Sequence, residues 1–112
     1  MIRVIVTRQA VDRSIRAFSV TGHANFAEAG KDIVCAGVSA ITVGTVNAIQ
    51  ELLHVALPAA MRKGKLAVEL PQADAIADSF KDVQLLLEAM LVSLQSIKES
   101  YGPYIEIQEE FI

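Results

Sequence analysis

The chain has 112 residues and a formal charge of −3, a length that sets the expectation of one domain, 1–112, with a core that needs no staples. Apolar residues make up 53% and aromatics only 5%, with no Trp, so the core should be aliphatic and a disordered chain is excluded. The acidic balance argues against a general nucleic-acid binder, and the single Cys rules out an internal disulfide and makes a reducing cytoplasm the default.

Ile2, Val4 and Val6 alternate as in a strand. Arg3 and Arg8 interrupt that stretch and set it apart from a signal peptide. Asp12-Arg13-Ser14 reads as a turn, and Ile15 to Thr21 as a second strand with Phe18 and Val20 on one face, closing an antiparallel hairpin. A loop follows, Gly22 to Lys31. Asp32 reads as the N-cap of a helix from Ile33 to about His54. Ile33 to Gln50 is 18 residues without a charge, the lower limit for a membrane span. Cys35, Ser39, Thr42, Thr45, Asn47 and Gln50 favour instead a soluble helix buried on most sides. Gly37, Ala40, Gly44 and Ala48 form a ridge that lets another element approach closely.

Met61 to Lys65 is basic and turn-like, and Leu66, Val68 and Leu70 alternate as a third strand ended by Pro71. A second helix is predicted from about Asp74 to Glu99, with one apolar stripe through Ile76, Phe80, Val83, Leu87, Met90, Leu94 and Ile97. Gly102-Pro103 breaks it, and Tyr104 to Gln108 is the last strand. The order β-β-α-β-α-β predicts an α+β, two-layer fold: a mostly antiparallel sheet with two helices on one face.

Groups suited to catalysis are few. Cys35 lies in the first helical turn, where unpaired N–H groups carry about half a positive charge and favour an anionic sulfur. Asp32 opposes that effect unless its carboxylate is tied up as the cap. His54 is excluded as a partner within one straight helix, since 19 residues span about 28 Å; a helix C-terminus suits it. His23 ends the second strand, and the loop after it can fold back over the helix start. A Cys beside a His is the core of a thiol protease, with the N–H groups of Cys35 and Ala36 placed to receive an oxyanion. Against this, a lone Cys in an Ala/Val-rich helix is commonly a packed small hydrophobe. Ser39, one turn on, either supports the site or bonds back to the carbonyl of Cys35. Gly22, Phe26 and Ala36 are candidate substrate contacts. No metal or cofactor is expected, because one Cys and two His are too few ligands of the zinc type and no phosphate loop is present.

At Thr21-Gly22-His23-Ala24, followed by Gly30-Lys31-Asp32-Ile33-Val34-Cys35-Ala36-Gly37-Val38-Ser39, the chain resembles the ribosomal-processing cysteine protease family (Prp, also called YsxB-like). The likeness runs over essentially the whole length. It implies a small bacterial cytoplasmic endopeptidase that removes a short N-terminal extension from one large-subunit ribosomal protein, the twenty-seventh in the standard series. It also implies a homodimer and a loop that moves between the His and the Cys; the acidic balance and the polar residues of the first helix predict no direct nucleic-acid and no membrane partner. The family's His and Cys match His23 and Cys35; Asp32 would cap the helix or orient His23. The −3 charge would suit a basic extension. Two rivals remain: a non-catalytic, ribosome-associated or dimeric interaction module with a structural Cys, and a redox sensor, which the lack of a resolving Cys disfavours.

Overall fold

Alternating side chains set the architecture. In the computed structural model, which describes all 112 residues, β1 (Ile2–Arg8) turns Ile2, Val4 and Val6 to one face, all buried. It pairs antiparallel with β2 (Ile15–Thr21), Val4 opposite Val20 and Val6 opposite Phe18, so one apolar face continues across both strands. The turn between them is closed by Asp12, which accepts from the Ser14 N–H at 3.0 Å, with Arg13 in the left-handed region at φ 64°. A register shift at Thr7 and Arg8 leaves the main chain of Ile15 unpaired there. The Gln84 amide fills the gap, accepting from the Ile15 N–H at 2.7 Å and donating to its carbonyl at 2.9 Å.

Helix α1 (Ile33–Leu53) follows, then β3 (Ala59–Arg62), β4 (Lys65–Glu69), α2 (Phe80–Tyr101) and β5 (Ile105–Phe111). The sheet order is β3-β4-β2-β1-β5; β1 and β5 run parallel and the other neighbours antiparallel. Both helices lie on the face that carries Val4, Val6, Phe18, Val68 and Ile105. The predicted two-layer α+β order holds, with one strand added. Val83, Leu87 and Leu94 of α2 are fully buried, each contributing about 1.5–3 kcal/mol relative to exposure. Gly37 is where the helices meet, because a Cβ there would stand 3.3 Å from Ile97 Cδ1.

Three boundaries and one burial pattern differ from expectation. Met61 to Lys65 is not only a turn: Met61 and Arg62 belong to β3, and the reversal is confined to Lys63-Gly64. The second helix starts at Phe80 rather than Asp74, because Ala73–Ile76 forms a separate 3₁₀ turn after Pro71. The last strand runs on to Phe111, paired along the full length of β1. Finally, α1 is not buried on most sides. It buries one stripe, Val34, Val38, Thr42, Val46 and Ile49, and leaves Ile33, Ala36, Ala40, Gly44 and Asn47 exposed.

Candidate active site

The start of α1 is fixed by Asp32. Its backbone is extended (φ −86°, ψ 103°), and Oδ1 accepts the N–H groups of Val34 and Cys35, both at 3.0 Å. Its carbonyl takes the Ala36 N–H at 3.0 Å. Oδ2 reaches the other way and accepts from Phe26 at 2.9 Å and Ala27 at 3.3 Å, clasping the loop to the helix start. Partial desolvation pushes this carboxyl up, but the backbone N–H bonds of Cys35, Ala27, Phe26 and Val34 together outweigh it and hold the group below the usual range. One expectation therefore fails: the N–H groups of Cys35 and Ala36 are already spent, so they form no oxyanion site. Of the two roles open to Asp32, the structure shows the cap; the carboxylate also clasps the loop and makes no bond to His23.

Above this turn the half-buried Cys35 sulfur accepts the N–H of Ala24 at 3.3 Å, and Ala24 is itself buried. His23 is exposed, and glycines on two sides shape its surroundings. Gly22 turns the chain at φ +85°, where a Cβ would meet the Met1 carbonyl oxygen at 2.5 Å, so only glycine fits. The Gly22 N–H donates to the Gly64 carbonyl at 2.9 Å, tying the end of β2 to the β3–β4 turn. Gly64 (φ +76°) lies against the imidazole, and a Cβ on it would stand 3.0 Å from His23 Nε2. No hydrogen bond joins the ring to the sulfur, yet both groups line the same two clefts.

The smaller cleft, about 160 Å³, lies between α1 and the β3–β4 hairpin and is walled by Val20, Val38, Thr42, Val43, Met61 and Leu66. The larger, about 540 Å³, lies under the loop, with Asn25, Gly30, Ala36 and Lys63 around His23 and Cys35. A depression of similar size, about 570 Å³, lies on the open face of the sheet over Ala17, Ala60 and Ala67; its polar side chains are Thr7, Ser19 and Glu69, and it holds no Cys or His. The two clefts are where the chemistry concentrates.

Ser39 lines both clefts and does not bond back to the carbonyl of Cys35; its hydroxyl is free, unlike those of Thr42 and Thr45. Phe26 lines neither cleft. Its ring packs edge-on against Tyr101 and Tyr104, centroids 5.6 and 5.1 Å away, so it anchors the loop to the end of α2. His54 ends α1 in the left-handed region at φ 55°, remote from Cys35. The local charge reverses the overall one: Arg62, Lys63 and Lys65 rim the clefts, so the net −3 does not describe the site. Sequence reasoning missed Gly64 and the Ala24 N–H. The glycine in Lys63-Gly64-Lys65 was the available signal for the first, and nothing in the sequence marked the second.

The family described as Cysteine protease Prp matches residues 1–106. The ribosomal processing cysteine protease Prp of Bacillus subtilis is 37% identical over 107 residues, covering 94% of this chain and 95% of that protein. Its Staphylococcus aureus counterpart is 40% identical over 86 residues, 77% of this chain and 78% of that one. The S. aureus protease solved with a covalently linked product peptide superposes with a TM-score of 0.87 at 33% identity, covering 98% of this chain and all of that one. The same protease with a substrate peptide gives 0.83 at 32%, with the same coverage. On this sequence match and this shared fold, the chain belongs to the ribosomal processing cysteine proteases of the Prp family.

Proposed function

We propose that Cys35 and His23 are the catalytic pair and that the substrate is the N-terminal extension of the twenty-seventh protein of the large ribosomal subunit. The observation that carries this reading is the convergence of the two side chains on shared clefts, with the sulfur at a capped helix start under a backbone donor. The Cys35 thiolate attacks the scissile carbonyl carbon. The oxyanion takes over the Ala24 N–H as the sulfur gives up its negative charge. His23 protonates the leaving amine, and water then hydrolyses the thioester. Asp32 and Ser39 support the site, Asp32 by holding the loop and the helix start. The work belongs in the cytoplasm, where ribosomes assemble and a lone thiol stays reduced.

Pairing of two copies is part of the same reading. The apolar stripe of α2 is spent on the core, so the exposed, uncharged face of α1 around Ala40 and Gly44 is the surface that supports it; a Cβ at Gly44 would meet nothing within 4 Å. Gly44→Glu should then turn a dimer into a monomer by light scattering. The main test is mass spectrometry of a peptide spanning the extension and the first mature residues. Wild type should make one cut that both Cys35→Ala and His23→Ala abolish. Intact peptide with folded wild type would refute the substrate, and cutting by Cys35→Ala would refute the pair.

A further inference from the structure

We infer that the substrate chain binds as an added strand on the free edge of β3, with one of its apolar side chains seated in the cleft between that strand and α1. This rests on the peptidase reading above and concerns how the peptide is held.

Arg62 pairs with Lys65 across the two-residue turn Lys63-Gly64, Ala60 pairs with Ala67, and the Pro58 carbonyl accepts from the Glu69 N–H at 3.2 Å. In an antiparallel ladder these alternate residues turn their N–H and C=O groups inward to β4. Ala59 and Met61 therefore turn theirs outward. Nothing covers them: β3 is terminal in the sheet and all four of its residues are exposed. Exposed edges of this kind take up extended peptides through main-chain bonds, and pockets for alternate side chains then supply selectivity.

Location ties this edge to the reaction. Met61 lies opposite Leu66 on the helix-bearing face and is 64% exposed, yet it walls the same 160 Å³ cleft as Cys35 and His23. A strand laid along β3 sends every second side chain toward α1. The walls that side chain meets are Val20, Val38, Thr42, Val43, Met61 and Leu66, and the volume suits one large aliphatic or aromatic group. The main chain and this anchor together fix the scissile bond over the sulfur. Met61 and Val43 then set selectivity, while Arg62 and Lys65 stay at the rim.

The test uses the wild-type enzyme and a set of cleavable peptides, each N-methylated at one residue. Strand pairing predicts a loss in kcat/KM of about five- to tenfold, the worth of one net hydrogen bond, at alternate positions and little loss between them. On the enzyme side, Met61→Pro deletes the outward N–H at a place where an edge strand tolerates proline. It should raise KM by a similar factor and leave alkylation of Cys35 by iodoacetamide unchanged. Val43→Phe should shift preference from a large apolar residue to Ala at one substrate position. Unmodified peptide left uncut would sink the peptidase reading itself. Normal cutting with no alternation in the N-methyl series, or a Met61→Pro effect that tracks a change in oligomeric state, overturns the added strand alone.

Discussion

Gly64→Ala separates two consequences of one methyl group. At φ +76° an L side chain costs about 1–2 kcal/mol of backbone strain. The new Cβ would also stand 3.0 Å from His23 Nε2, against an ordinary contact of about 3.5 Å. The imidazole must retreat by about 0.5 Å. If a misplacement of about 1 Å costs roughly a hundredfold in rate, half of it costs roughly tenfold, or about 1.4 kcal/mol of barrier. Gly30→Ala is the matched control. Its φ is +85°, and a Cβ there meets nothing within 4 Å. Both variants should lose about 1–2 kcal/mol in urea unfolding, but only Gly64→Ala should lose about tenfold in kcat. Equal kcat for the two, or a loss in Gly64→Ala confined to stability, would refute the argument that this turn positions His23.

Three further outcomes follow from the same contacts. Arg8 is buried, makes a two-bond pair with Glu88 at 2.7 and 2.8 Å, and also bonds Glu109 and the Arg13 carbonyl. Because both carboxylates are more than a third exposed, Arg8→Met should cost about 2 kcal/mol in denaturant unfolding rather than the sum of four charged bonds; no change would mean that water replaces the network without loss. The bonds from Arg8 hold Glu88 below its usual 4.5. That stabilisation is complete above pH 4.5 and is lost as pH falls toward the lowered folded value, so the melting temperature should drop on acidification and do so less steeply in Arg8→Met. An ester in place of the Ala24 amide deletes one N–H and no side chain. It should lower kcat about 10²-fold or more at near-constant KM, and full activity would remove Ala24 from the mechanism.

What was legible in the sequence followed short-range rules. Period-2 alternation located β1, β2 and β4, the Asp32 cap located the start of α1, and a Gly-His and a capped Cys at a fixed interval located the candidate pair. Contacts distant in sequence were not legible. Phe26 meets Tyr101 and Tyr104 only because β5 returns beside β1. The residues Ala59-Ala60-Met61-Arg62 have weak strand preference, and β4 alone makes them a strand. The lack of charge in α1 suggested burial on most sides, but one stripe suffices for its packing and the other face is left open. The misplaced oxyanion site had a local cause. An N-cap side chain and carbonyl consume the first N–H groups of the helix, so the cap that locates Cys35 also removes those donors.

If Cys35 carries the acyl group, the thioester can be trapped during turnover. Enzyme mixed with the extension peptide and quenched in acid within milliseconds to seconds would be weighed intact and then mapped by digestion. Wild type should gain a mass equal to the N-terminal fragment less water, located on the peptide that contains Cys35, and Cys35→Ala should gain none. Cleavage that proceeds with no adduct in wild type and persists in Cys35→Ala, or an adduct on another residue, would contradict acyl transfer to Cys35.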